Sequence, residues 1–123
     1  MKWMEFYVNL LDYKNGITSN RSSIVGYTLC FNTYSTWQGK TLFMEDLYVR
    51  PAHRNQGIGK LLLTKVINYA HETKCNRCEF HVHDWNPARS FYEKMGAINL
   101  TTTEGWHYYR LDKEAIDSFN EKA

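Results

Sequence analysis

The sequence predicts one mixed α/β domain in which a largely antiparallel sheet is flanked by helices. Three observations predict it. The first half is written in runs of aromatic and β-branched residues separated by turn residues. After Arg50-Pro51 the apolar residues recur at helical spacing instead. Further on, Asn86-Pro87 and Gly96 bracket a segment with helix start and stop signals. A chain of 123 residues has room for one domain, here 1–123.

Phe6 to Leu11 reads as the first strand, followed by a polar break at Asn15-Gly16 and from Thr18 to Ser23. Ile24 to Tyr34 and Lys40 to Val49 read as two more strands, and the turn chemistry of Ser35-Thr36-Trp37-Gln38-Gly39 joins them as a hairpin with Trp37 near its tip. Ile58, Leu62, Val66, Tyr69 and Ala70 share one stripe of an amphipathic helix of about four turns. Alternation resumes at Glu79 to His83, with Cys78, Phe80 and Val82 on one face and Glu79, His81 and His83 on the other. The next helix takes Asn86 as N-cap and Pro87 as its first residue, and stops at Met95-Gly96. Trp106 to Leu111 reads as a last strand, and Asp112 caps a closing helix carrying Ala115, Ile116 and Phe119. The predicted order is β-β-β-α-β-α-β-α.

Composition narrows the class. With 43% hydrophobic and 15% aromatic residues the chain has a core to bury, which excludes intrinsic disorder. Fifteen basic and 13 acidic residues give a net charge of +2 with no basic stripe, so no nucleic-acid partner is expected. No apolar run is long enough to span a bilayer, and no membrane partner is expected. Three cysteines without a secretory segment predict free thiols in a soluble, cytoplasmic protein.

The chemistry concentrates where strand gives way to helix, at Arg54-Asn55-Gln56-Gly57-Ile58-Gly59-Lys60. Backbone N–H groups and the positive end of the helix converge there on one anion, most naturally a pyrophosphate. Side chains at positions 57 and 59 would hold the backbone away from the phosphate oxygens, although a helix-entry turn that simply needs glycine explains the same residues. No Gly-Lys-Ser/Thr completes a P-loop, and no third glycine completes a dinucleotide fingerprint.

With Arg54, Gly57 and Gly59 matching a Gln/Arg-x-x-Gly-x-Gly/Ala loop, the chain resembles the GNAT superfamily of N-acetyltransferases, in which this loop holds the pyrophosphate of acetyl-coenzyme A. Glu45-Asp46-Leu47-Tyr48-Val49, Asp84-Trp85-Asn86, Phe91-Tyr92, Gly96-Ala97 and Glu104-Gly105-Trp106-His107 look like the diamine and thialysine branch. Within that branch, Tyr34-Ser35-Thr36-Trp37 leans toward the thialysine type, because the spermidine/spermine type has an acidic residue where Ser35 stands. The resemblance spans about Ser23 to Phe119. It implies an N-terminally shortened GNAT-like fold, lacking the β-α-α unit that usually precedes the strand at Phe6 to Leu11.

The resemblance also implies a reaction, transfer of acetyl from acetyl-coenzyme A to a primary amine of a small molecule such as thialysine or a polyamine. An amine attacks a thioester only as the free base, so a proton acceptor is needed. Glu45 is the residue implied to bind the amine and relay its proton, with Asp46 contributing where the strand is distorted. Backbone N–H groups from Leu47 through Tyr48 to Val49 would stabilise the developing oxyanion, a contribution typically worth about 3 to 4 kcal/mol. Tyr92 is implied to protonate the departing thiolate, and Asn86 to approach the pantetheine or phosphate end. The step from Asn86 to Tyr92 is six positions where the family often has seven, and one residue turns a helix by about 100°. Trp37, Glu45, Asp46, Glu79, His81, Glu104 and Trp106 combine carboxylates and aromatic faces suited to an alkylammonium group. Relatives of this type are homodimers with shared pockets, so a homodimer is expected.

Two other readings stay open: a coenzyme A binding or dimer-interacting domain that has lost efficient catalysis, and a protein-lysine acetyltransferase. Cys75, Cys78, His81 and His83 resemble a zinc set, but alternation sends Cys78 to the face opposite both histidines, so no metal is expected.

Overall fold

The computed structural model describes residues 2–9 and 24–122. Leu10, Leu11 and the polar break predicted at Asn15-Gly16 and Thr18 to Ser23 lie outside them. The chain divides into two compact units, Met1–His81 and Val82–Ala123.

The first unit is a four-stranded sheet in the order β1-β2-β3-β4, with strands β1 (Trp3–Asn9), β2 (Ile24–Ser35), β3 (Gly39–Val49) and β4 (Arg77–Glu79). The first three run antiparallel, and β4 lies parallel to β3. Helix α1 (Ile58–Glu72) follows a 3-10 turn at Pro51–His53. Every residue of the predicted helical stripe lies in α1, and Ile58, Leu62, Val66 and Ala70 are buried, joined by Leu63. Ile58 and Leu62 meet Val8 and Val25 of the sheet, with Phe6, Leu47 and Val49 packed around them. Each such aliphatic side chain contributes about 1.5 to 3 kcal/mol when fully removed from water.

Gly26 sets how closely helix and sheet approach. A Cβ there would stand 3.1 Å from Ile58 Cγ2, from Leu62 Cδ1 and from the Tyr48 carbonyl oxygen. The other end of the sheet is clamped from outside. Ser35 Oγ accepts from the N–H groups of Trp37 and Gln38 at 3.1 and 3.0 Å, and Gly39 takes φ +89° to close the turn. Asn76, just before β4, donates from its backbone to Lys40 O at 2.9 Å and from its side chain to Gln38 O. The hairpin expected here is therefore present, with Trp37 at its tip and 92% exposed.

Two predicted strands are corrected. The strand expected at Glu79 to His83 is instead Arg77–Glu79, because its partner segment on β3 is only Thr41 to Phe43 and residues 80–83 have no ladder to join. Trp106 to Leu111 is exposed and forms no strand. Alternating side chains do not make a strand without a second backbone to hydrogen-bond, and the second unit contains no strand among its described residues.

That second unit is helical: α2 (Ala88–Lys94), α3 (Leu100–Glu104) and α4 (Lys113–Lys122). Helix α2 starts one residue later than predicted, with Pro87 in the N-cap position, but the residues expected to bracket it do bond at its ends. Asn86 Oδ1 accepts from the Ala88 N–H at 2.8 Å, while Gly96, at φ +104°, donates to Glu93 O and Ala97 donates to Tyr92 O, the paired bonds of a glycine-terminated helix. Asp112 caps α4 as expected, accepting from Ala115 N–H at 2.9 Å. Helix α3 is an element that the sequence pattern does not predict. Its signal is Asn99, which accepts from the N–H groups of Thr101 and Thr102, together with left-handed Gly105, and three threonines of low helix propensity hide it.

Gly26→Ala is expected to destabilise the first unit by about 1 to 3 kcal/mol through overpacking at the helix, read as a lower midpoint in urea unfolding. An unchanged midpoint would show that α1 can lift without cost.

Candidate functional site

Between Leu29 and Cys30 the register of β2 against β3 shifts: Leu29 pairs with Asp46, but Cys30 pairs with Met44. Glu45 therefore has no partner on β2 and forms a bulge, which turns the next residues relative to the regular pleat. The bulge is supported from beneath by buried Thr28, whose hydroxyl donates to Asp46 O at 2.6 Å. Both carboxylates are exposed. Strand β4 leaves β3 at Phe43, so from Met44 to Val49 the outer edge of β3 faces no strand among the described residues. Leu47 and Val49 turn toward the core, and Tyr48 lies on the opposite face, 42% exposed.

The chain then enters the glycine loop. Arg50 N–H donates to Val25 O at 2.8 Å and anchors the end of β3. Arg54 Nε donates to Val49 O at 2.8 Å, and its guanidinium lies 5.4 Å from the centre of the Tyr48 ring. Asn55 and Gly57 both have positive φ, +61° and +85°. Gly57 is the N-cap of α1 and supplies no side-chain acceptor, and the first turn carries no acidic residue. The N-cap residue thus offers no side-chain cap to the leading N–H groups of Ile58, Gly59 and Lys60 at the electropositive end of a 15-residue helix. Ile58 itself points inward and is buried, Lys60 is exposed, and Gln56 Nε2 reaches back to Ala52 O at 3.5 Å. An uncapped helix start behind two positive-φ residues fits a phosphate-bearing group such as the pyrophosphate of coenzyme A.

The remaining predicted residues fall in separate places. Trp37 stands at the hairpin tip, about 20 Å along β3 from Glu45 at about 3.3 Å per residue, so the two do not share one small pocket within a chain. Glu79 pairs with Arg77 at 3.1 Å, and His81 packs edge-on against Phe43 with ring centres 5.3 Å apart. In the second unit Glu104 Oε1 accepts from Trp106 Nε1 at 2.8 Å, with Trp106 63% exposed. Asn86 is engaged in its cap, and Tyr92 packs against Phe91, ring centres 5.1 Å apart. Burial pushes the Tyr92 phenol up, so it stays protonated well beyond neutral pH.

Cys30, Cys75 and Cys78 are free thiols. Cys78 pairs in register with Leu42 on the α1 face, while His81 contacts Phe43 on the other. Among the described residues no three His, Cys, Asp or Glu side chains are grouped to hold a metal ion. Burial first, then the neighbouring Cys30, Cys75 and Glu79, push the Cys78 thiol up to about 11.

The sequence profile of the acetyltransferase (GNAT) family matches residues 4–97, from β1 through the end of α2. The chain belongs to the acetyltransferase (GNAT) family. It is 43% identical over 94 residues to the thialysine N-epsilon-acetyltransferase of Bos taurus, a match covering 76% of this chain and 55% of that protein. It is 34% identical over 112 residues to the spermidine/spermine N(1)-acetyltransferase-like protein 1 of Homo sapiens, covering 90% of this chain and 16% of that protein. The chain thus spans little more than half the length of the thialysine relative. An integron cassette protein of V. cholerae shares the fold, with a TM-score of 0.73 at 17% identity over 98% of each chain. The family assignment agrees with the glycine loop and with the mixed sheet read from the sequence.

Sequence reasoning missed Thr28, which supports the bulge, and the ring contact by which Tyr48, expected only for its backbone N–H, holds Arg54. Neither has a local signal, because each acts through a partner brought close only by strand pairing or by the turn into α1.

Thr28→Val is expected to cost about 1 to 3 kcal/mol, because the Asp46 carbonyl loses its donor at the bulge; differential scanning calorimetry would show a lower Tm, and an unaltered Tm would mean that the bulge stands without it. For Cys78 the raised value means that the folded state holds its proton where the unfolded state has released it. Its contribution is therefore complete below about pH 9 and is lost as pH rises through about 11. At pH 8, iodoacetamide is expected to modify Cys78 at least about ten-fold more slowly than a free cysteine, read by peptide mass mapping.

Proposed function

We propose that the chain transfers an acetyl group from acetyl-coenzyme A to a primary amine of a small molecule, thialysine or a polyamine, with both compact units acting as one acetyltransferase domain. What carries the reading is the placement of the Glu45 bulge and the unpaired edge of β3 on the same strand that leads, through the Val49 to Arg54 bond, into the uncapped start of α1. The similarity to a thialysine N-epsilon-acetyltransferase and a spermidine/spermine N(1)-acetyltransferase-like protein supports the same acceptor class.

In this mechanism acetyl-coenzyme A supplies the activated acyl thioester. The backbone N–H groups at Gly57 to Lys60 hold its diphosphate, and Arg54 braces the loop through Val49 and Tyr48. Asn55 and Gln56 shape the entry to the helix. Glu45, set off the pleat by the bulge, takes the ammonium proton directly or through one water, and Asp46 adds negative charge beside the incoming amine. Backbone N–H groups between Leu47 and Val49 stabilise the developing oxyanion. Tyr92 is assigned the return of a proton to the thiolate, a role for which its protonated phenol is suited. Asn86 is assigned to the pantetheine end. Within the first unit the amine is held by Asp46, Glu79 and His81, which combine carboxylates with an aromatic face. Trp37 can join such a pocket only from a second copy, in keeping with the proposed homodimer. No metal is required by direct attack.

The test is acetyl-coenzyme A dependent release of coenzyme A with thialysine, spermidine, putrescine and lysine at equal concentration. Turnover selecting among the four is expected, and Glu45→Gln is expected to lower kcat about 10² to 10⁴-fold with little change in folding. Release that is equal in the variant would remove Glu45 from the mechanism, and no release by folded protein would sink the catalytic reading.

A further inference from the structure

Tyr48 stands on β3 between the carboxylates of the bulge and the entry to the glycine loop. Its side chain lies on the face opposite α1. Asp46, two residues earlier, shares that face, because their partners on β2, Leu29 and Tyr27, are themselves two apart in a regular ladder. Tyr27 is the cross-strand neighbour of Tyr48, with ring centres 6.0 Å apart, and Tyr48 remains 42% exposed. The ring is thus steadied from the β2 side and still accessible.

Arg54 reaches back from the loop onto this ring. Its guanidinium carbon lies 5.4 Å from the ring centre, a cation–π contact, and its Nε donates to Val49 O at 2.8 Å. These two contacts set the plane and one edge of the guanidinium, and no carboxylate among the described residues pairs with it. Nη1 and Nη2 are left as an exposed fork of the kind that matches two oxygens of a phosphate. Only the ring enters the contact, so the Tyr48 hydroxyl is not needed for it.

Arg54 has a competing partner close by. Residues i and i+2 of a strand are about 7 Å apart, so a guanidinium no longer held over Tyr48 has the exposed Asp46 carboxylate within the reach of its side chain. An arginine–carboxylate pair there would take the cation from the loop and the negative charge from beside the bulge together. We propose that Tyr48 is a positioning residue for the coenzyme A site: its ring holds the Arg54 fork apart from Asp46, which presents the guanidinium to the diphosphate and leaves Asp46 unpaired for the amine. The inference rests on the acetyltransferase reading and deepens it by giving the ring a role distinct from that of the Tyr48 backbone N–H.

The experiment is titration calorimetry of the full chain with coenzyme A, which carries the diphosphate and needs no turnover. Tyr48→Leu is expected to weaken binding about five-fold, the scale of an exposed cation–π contact, whereas Tyr48→Phe, which keeps the ring, stays within about two-fold of the unsubstituted chain. Arg54→Leu is expected to weaken binding at least as much as Tyr48→Leu, and the double variant no further, since ring and guanidinium act as one unit. In an Asp46→Asn chain, Tyr48→Leu is expected to cost no more than about two-fold, because the competing carboxylate is gone. Tyr48→Met, a second ringless variant, carries the same expectations should the leucine chain fold poorly. Losses that add in the double variant, equal losses in Tyr48→Phe and Tyr48→Leu, or a loss that Asp46→Asn does not reduce would overturn the inference. If the unsubstituted chain binds coenzyme A and Tyr48→Leu binds it equally well, the inference alone falls. If the unsubstituted chain binds none, the acetyltransferase reading falls with it.

Discussion

Helix α1 can lie close against the sheet because Gly26 has no side chain, and much else in the first unit depends on that contact. The missing Cβ lets Ile58 and Leu62 sit directly over β2, which buries both and fixes where the helix begins. The start of the helix in turn determines where Gly57 and the N–H groups behind it stand relative to the end of β3. The placement of the glycine loop is therefore a consequence of core packing, held from the other side by Arg50 on Val25 O and Arg54 on Val49 O.

The bulge at Glu45 divides β3 into two halves with different tasks. Before it, Thr41 to Phe43 are paired on both edges, and Leu42 and Met44 are buried under α1. After it, the outer edge of the strand faces no other strand among the described residues, with a carboxylate at the bulge and another just beyond. A regular ladder would place a partner opposite Glu45. The extra residue instead leaves it unpaired, and Thr28 compensates by satisfying Asp46 O from the core. One pair of the ladder is thus given up at Glu45, with the lost order made good by a buried hydroxyl.

The two faces of the sheet contrast in the same way. One face carries the aliphatic residues that exclude water beneath α1. The other carries rings and carboxylates in register, which the alternation of the strands places together row by row. In the second unit the helices are capped by their own side chains, Asn86, Asn99 and Asp112, and none of its described residues is buried. Its helix boundaries are therefore set locally, while the elements of the first unit are set by packing.

That difference explains what was legible in the residues alone. The stripe of α1, the hairpin turn at Ser35 to Gly39, the Asn86 to Gly96 helix and the Arg54-Gly57-Gly59 loop all rest on spacing within a few positions, and local stereochemistry decides such features. The GNAT resemblance rests on the same short motifs. The strands expected at Glu79 to His83 and Trp106 to Leu111 were misread because a strand exists only where another backbone completes its hydrogen bonds. The bulge at Glu45, the Thr28 support beneath it, the separation of Trp37 from Glu45 and the contact of Tyr48 with Tyr27 depend on register between strands far apart in sequence. Tertiary structure alone decided these, since one step of slip would turn each side chain to the other face.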